Sequence, residues 1–478
     1  MEMSNEPEQE LLRKAMDCRM LEEQIVDYHV RNYGAAGDGV TKDTESIQKA
    51  IDACCAAGGG RVVLDGGGTY RSGSLVLKSN VEFYVESGTE LKASDDPADY
   101  QALPALPPLD CGGEAEVGAD GQKEQSKEVP SYINCEYDGR PRHYFIYAHG
   151  GENIRITGFG TIDGTEELYY GKEIPYHIEG RYYPRIPMIL IEEVEHLTVK
   201  DITLARCGFW TLHMAGCQDV LVDGIRILNN LRMANCDGID PDHCQNVRIV
   251  NCHVECADDC IVLKNTKGYE RYGPCKNILI SGCTLVSTSS AIKLGTESES
   301  DFENVVIENC SISRTNRGVS IHLRDKGNVK NVLISNLNIE TRRFSEQWWG
   351  RAEPIYITVF DRKDGVTAGQ IRNVRLRDIN CTGENGIFIC GSEGHVIKDV
   401  SLENIHVTLA KHSKWPSDSY DLRPCRGEGI LPSKLYGLYA DMVDGLTVSS
   451  LKVECQDSME EYTAGDCCVK NVENLVER

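Results

Sequence analysis

The sequence predicts an all-β fold, a single-stranded right-handed parallel β-helix (a solenoid) with an N-terminal helical cap and long loop insertions. Three observations lead there. From residue 153 onward, a polar residue followed by apolar residues three and six places on recurs nine times in phase. The copies are β-rich and carry Asn or Gly at turn positions, where left-handed backbone is tolerated. Each copy is too short to bury a core alone, so burial requires stacking on its neighbours. A chain of 478 residues would otherwise suggest two or three domains, whereas a repeat protein of this length can be one body.

The elements follow in order. Residues 8–26 read as an amphipathic helix, with Leu11, Leu12, Ala15 and Met16 at helical spacing. We take 1–30 as a helical extension and 31–478 as the β-helix. In RNYGAAGDGVTKDTESIQKAIDAC, Asp43 or Thr44 caps a helix with apolar residues Ile47, Ala50, Ile51 and Cys54, stopped by Gly58, Gly59 and Gly60. N-terminal helices are well placed to cover the first coil, whose open sheet edge would invite pairing with other chains. Short strands and tight turns follow to about residue 94. Residues 101–142, rich in Pro, Gly and Glu, read as a long excursion from the scaffold.

The repeat then runs Asn153/Ile156/Phe159, His196/Val199/Ile202, Asp219/Val222/Ile225, Asn246/Ile249/Cys252, Asn277/Ile280/Cys283, Asn304/Ile307/Cys310, Asn331/Ile334/Leu337, Asn373/Leu376/Ile379 and Asp399/Leu402/Ile405. The closest spacings are 23 to 31 residues, and gaps of 42 or 43 mark an insertion or an extra coil. Cys252, Cys283 and Cys310 fill positions that other coils give to aliphatic residues, so they read as small apolar residues of an internal stack.

Charge and cysteines narrow the function. A net charge of -24 argues against binding nucleic acid or an anionic membrane. No secretory-type apolar run opens the chain, and 21 cysteines cannot all pair within it, so reduced thiols in a cytoplasm are the simplest account.

The stretch NCDGIDPDHCQNVRIVNCHVECADDC, Asn235–Cys260, carries the chemistry. Carboxylates beside apolar segments are costly unless they work or are paired. Asp237 and Asp258 are 21 residues apart, close to one coil, so they stack on neighbouring coils with Asp259 beside them. Three carboxylates this close cannot all ionise freely, and a retained proton beside an ionised neighbour is what glycoside hydrolysis needs. A surface acidic patch or a structural Ca²⁺ site is the alternative.

The opening motif, GTIDG (Gly160–Gly164), NCDGID, CADDC and the coil register together resemble glycoside hydrolase family 28, the polygalacturonase-like enzymes, over about residues 30–455. The resemblance implies inverting hydrolysis without metal or cofactor, with Asp258 as the acid and Asp237 and Asp259 activating water; Asn235 lies in the same motif. Inverting enzymes hold their carboxyls about 6.5–9.5 Å apart, so either a turn or bulge at Cys256–Cys260 widens the gap or the general rule fails here.

The departures are as informative. Where the family carries Gly-His-Gly, this chain reads Ser289, Ser290, Ala291; where it carries Arg-Ile-Lys, Ser320, Ile321, His322. The acid machinery is kept and the substrate contacts are changed, which makes plain polygalacturonic acid a poor first guess. Lys293, Glu297, His322 and Arg324 lie on those coils and are candidate sugar contacts. Tyr169, Tyr170, Tyr176, Tyr182 and Tyr183, with Trp348 and Trp349, lie in insertions and are candidate stacking faces, or loop packing. Insertions at 101–142, 164–187, 341–353 and 411–434 could close one end of the cleft, favouring exo-trimming of a pectin-derived or related plant oligosaccharide. Two other readings stand beside the glycosidase. One is a Ca²⁺-dependent lyase using Lys264, Lys293 or Arg324 as base, and the other a catalytically silent sugar-binding solenoid.

Overall fold

The computed structural model describes residues 25–104, 141–174, 177–180 and 185–477. Parallel strands from Asp27–His29 to Thr463–Glu477 form one 33-stranded sheet that winds coil upon coil. The sheet begins earlier than expected: Asp27–His29 already pairs with Arg61–Val63. Residues 8–24 of the expected first helix lie outside the described residues, and Ile25 and Val26 are not helical.

The repeat is realised residue for residue. Ile156, Val199, Val222, Ile249, Ile280, Ile307, Ile334, Leu376 and Leu402 each pair with the next, and all are buried. Each such side chain contributes about 1.5–3 kcal/mol of burial energy, so the column is a main source of cohesion. Ile156 pairs directly with Val199 and Ile334 with Leu376, so both long gaps are insertions and not extra coils.

The nine polar residues that open the copies all have φ between 53° and 59°. Asn adopts this left-handed conformation more readily than most residues. The side chains also form a ladder: Asn246 donates to Asp219, Asn277 to Asn246, Asn304 to Asn277 and Asn331 to Asn304, each at 3.0 Å.

Cys252, Cys283 and Cys310 are buried, and every cysteine among the described residues is a free thiol. Phe159 breaks the pattern: it is 66% exposed. The reason is the backbone beside it. Gly158, at φ 111°, approaches Val85 so closely that a Cβ there would meet the Val85 carbonyl oxygen at 2.1 Å, and the chain turns Phe159 outward.

Helix Thr44–Ala56 packs on the first coils through Ile47, Ala50, Ile51 and Cys54, as the spacing predicts. Asp43 occupies its N-cap position, but its carboxylate accepts from Ala36 N and Gly37 N of the preceding loop, at 2.7 and 3.0 Å, and not from the helix.

One strand stack positions the site. Ile189, Leu212, Ile239, Ile261, Ile292, Val319 and Ile355 pair in succession and point inward. The alternate residues point outward: His213 pairs with Asp240, Asp242 with Lys264, Val262 with Lys293, and Gly295 with His322.

Three insertions lie over this face. Ile178, in the short strand Ile178–Gly180, donates its N–H to Arg232 O just before the Asp237 segment. The hairpin Ser419–Asp421 with Ile430–Pro432 docks on the 341–353 insertion, where Gly350 N donates to Asp421 at 2.8 Å. The His177 and Trp348 rings meet at 5.2 Å, joining the 164–187 insertion to the 341–353 insertion.

Candidate active site

Asp237 precedes strand Ile239–Asp242, and Asp258 and Asp259 fill the turn before Ile261–Asn265. Backbone pairing stacks these turns: Thr211 N donates to Asp237 O, Gly238 N to Asp259 O, Cys260 N to Ser290 O and Arg317 N to Ser289 O. Gly238 is required by this contact, since a Cβ there would meet the Cys260 carbonyl oxygen at 2.4 Å. The result is convergence: one oxygen from each of Asp237, Asp258 and Asp259 lies within 4.8 Å of the others. These converging oxygens are nearer than the separation of about 6.5–9.5 Å expected of inverting enzymes.

The three carboxylates have different surroundings. Asp259, 1% exposed, accepts from Ser289 Oγ at 3.1 Å, Ser290 N at 3.2 Å and Lys293 Nζ at 2.8 Å, which fixes its orientation. Asp237 is buried and lies 3.1 Å from Lys264 Nζ. Burial pushes its carboxyl up, against the pull of Lys264. Asp258 is half-buried and accepts from Asn235 N at 3.2 Å. Burial, then the charges of Asp237 and Asp259, hold Asp258 well above the usual carboxylate range. It is therefore the carboxyl most suited to carry a proton.

Lys264 binds the cluster together. Its side chain is 4% exposed, and its ammonium reaches Asp240 and Glu297 at 3.6 Å each and lies 4.3 Å from the centroid of the Trp210 ring. Burial pushes it down, but Asp237, Glu297 and Asp240 outweigh this and hold it well above its ordinary value. Asp240 is fully buried, with no hydrogen-bond donor to either oxygen among the described residues, and burial drives its carboxyl well up. A cation could bind the three clustered carboxylates, but the two ammonium groups already beside them supply compensating charge.

Several expected sugar contacts have other roles. Lys293 is in the site, but its ammonium holds Asp259. The Asn235 side chain accepts from Arg185. Glu297 is in the site, 33% exposed, paired with Lys264 and with Arg362 at 3.8 Å. His322 is buried, stacked on Tyr356 at 4.6 Å, with Arg317 Nη1 3.3 Å from its Nε2; burial and Arg317 push it well down, so it is neutral. Arg324 is fully buried and donates to the carbonyls of Pro424, Leu422, Leu323 and Thr358, so it ties the 411–434 insertion to the coils and does not face a sugar.

The aromatic candidates divide similarly. Tyr169 is 3% exposed and packs in the core, and Tyr170 donates to Glu166 at 2.7 Å. Trp348 is buried against His177, while Trp349 is half-buried and its carbonyl accepts from Asn316. Tyr176, Tyr182 and Tyr183 lie outside the described residues.

Trp210 and Arg362 were not anticipated, Asp240 was anticipated only as one of the stretch's carboxylates with no assigned role, and Lys264 only as a lyase base. A signal existed for Lys264 and Asp240: in IVLKN, alternation buries Ile261 and Leu263 and turns Lys264 to the face of Asp240 and Asp242. Arg362 arrives from a loop after Ile355–Val359 and has no such signature.

The sequence pattern of glycosyl hydrolases family 28 matches residues 111–419. The chain is 29% identical over 292 residues to the "Probable polygalacturonase" of Vitis vinifera, covering 59% of this chain and 53% of that protein. It is 24% identical over 267 residues to the "Exo-poly-alpha-D-galacturonosidase" of Dickeya chrysanthemi, covering 49% and 41%. In these matches the chain spans about half the length of its relatives. A solved exopolygalacturonase from Thermotoga maritima superposes with a TM-score of 0.68 at 19% identity, covering 90% of this chain and 92% of that one, a likeness of fold.

Proposed function

The chain belongs to glycosyl hydrolases family 28, and from that premise we propose that it is a glycosidase. It would cleave a pectin-derived or related oligosaccharide by inverting acid–base catalysis. The observation that carries this reading is the convergence of Asp237, Asp258 and Asp259 in three unequal environments.

In this mechanism Asp258 gives its proton to the glycosidic oxygen as the bond to the anomeric carbon breaks. Water, held by Asp237 and Asp259 on the other side of the ring, attacks that carbon and gives up its proton to the pair. Lys293 and Ser289 keep Asp259 aimed, and Lys264 balances the charge that Asp237 carries.

The ring contact of His177 with Trp348 supports exo action, because two insertions meet over the face that carries the triad. We further propose a cytoplasmic location, on the free thiols of the described cysteines. Among the described residues no helix is long and apolar enough to cross a membrane.

A Ca²⁺-dependent lyase draws on the same three carboxylates. Its base would have to be neutral, whereas the carboxylates around Lys264 keep it protonated. The deciding experiment is turnover of short uronide, rhamnosyl and neutral oligosaccharides by wild type and Asp258→Asn, with chelator present. A saturated monosaccharide from wild type and a loss of at least about 10²-fold in the variant are expected. An unsaturated product that disappears with chelator would replace the hydrolase by the lyase, and binding without turnover would leave a sugar-binding solenoid.

A further inference from the structure

We propose that the sugar ring accepted beside Asp258 and Asp259 is uncharged, and that Glu297 enforces this by repelling a uronate carboxylate. The inference rests on the glycosidase reading and narrows its substrate class. It begins from the cations, because recognition of a carboxylate needs a donor-bearing cation free to meet it.

The described cations that lie in or beside the site are already engaged. Lys264 serves Asp237, Asp240 and Glu297, and Lys293 serves Asp259. Arg362 forms two hydrogen bonds to Asp325, at 2.8 and 2.7 Å, and a third to Thr296 O. Arg317 is held by Glu353 at 3.0 Å and by Asp421 O at 2.7 Å. Arg324 and Arg185 are buried, donating to backbone carbonyls. His322, at the place of the family's lysine, is buried and neutral.

The arrangement in depth points the same way. Glu297 is 33% exposed, against 4% for the Lys264 side chain and 12% for Lys293. Lys264 and Lys293 therefore lie behind Glu297, and Arg362, 26% exposed and already bonded to Asp325, stands beside it. Burial pushes Glu297 up, but Lys264, Arg362 and Lys293 outweigh it and hold the carboxyl down at about 2, so this anion persists in any ordinary buffer. Beside Asp259 stands Ser289, half-buried, a group that suits a hydroxyl. A neutral ring offers hydroxyls and no like charge.

The test compares two ligands that differ by one group: a uronide-terminated oligosaccharide and its carboxyl-reduced counterpart. Binding of each to Asp258→Asn is measured by calorimetry, which keeps the ligand intact. The reduced ligand should bind at least about tenfold tighter, since a like-charge pair is costly at a desolvated contact. Glu297→Gln should bring the two to within about threefold by improving the uronide. Raised salt should narrow the gap in the Glu297 protein, a readout independent of whether Glu297→Gln folds.

Equal or tighter binding of the uronide overturns the proposal, as does an unchanged ratio in a folded Glu297→Gln or no binding of either ligand. Wild-type turnover is read separately. If neither ligand is cleaved while the preference holds, the glycosidase reading falls and the preference for an uncharged ring stands.

Discussion

Lys293 donates to Asp259 Oδ2 at 2.8 Å, linking a residue that ends one coil's turn to a residue on the strand of the next. The pair is largely buried, with side chains 12% and 2% exposed, so solvent screens it little. It holds the carboxylate proposed to activate water, so Lys293, expected to touch sugar, has its ammonium engaged by Asp259.

Lys293→Met removes this hold. Breaking a buried pair from one side costs about 3–5 kcal/mol in stability, so the melt should shift clearly downward. Where the protein stays folded, kcat should fall at least about tenfold with KM changed less. Lys293→Arg should restore part of kcat, and equal kcat in all three proteins would show that Asp259 needs no such partner.

The pH profile follows from Asp258. A free Asp loses its proton near pH 3.9, at about its reference value. Burial and the neighbouring charges hold Asp258 well above that, so it stays protonated at higher pH. Activity that needs this proton should persist past about pH 4 and fall only as pH rises through the raised value. Lys264 favours ionised Asp258 by its charge. Lys264→Met should therefore move the alkaline limb to higher pH, and a limb that moves down or stays fixed would exclude Asp258 as its origin.

Stereochemistry can be read by proton NMR of the first-formed sugar. Inversion is expected from family membership. One oxygen of each carboxyl lies within 4.8 Å of the others, closer to the spacing of retaining enzymes, about 5–5.5 Å. Retention of the anomer would mean that Asp237 or Asp259 attacks the sugar directly.

The turn ladder makes a stability prediction. Asn304 has φ 57° and hydrogen-bonds both Asn277 and Asn331. Asn304→Ala should cost about 1–2 kcal/mol, because Ala resists left-handed backbone and both ladder bonds are lost. Asn304→Gly loses the same bonds without the strain and should cost less, as urea melts would show. Equal costs would assign the ladder's value to its hydrogen bonds alone.

Opening the loop contact tests the mode of attack. Trp348→Ala removes the ring that meets His177. If those insertions close the cleft, the variant should release longer products from a long substrate, seen by product sizing. An unchanged release of monosaccharide would place the end wall elsewhere.

The sequence by itself determined the coil. A nine-fold pattern of turn residue and inward aliphatic residue fixes the register, because one slip would expose every inward residue, and the structure pairs Ile156 through Leu402 in that register. It also brought Asp237 to Asp258 and Asp259, since a 21-residue spacing returns the chain one strand higher. Tertiary structure decided the rest. Whether Arg324 meets a sugar or a carbonyl, and whether Trp348 is a platform or a buried wedge, depends on insertions distant in sequence, which bring Pro424 and His177 to them. Local periodicity carries no record of such contacts, because inserted loops have no repeat to obey; their charges are matched only when the folded surface brings Asp421 and Glu353 into place.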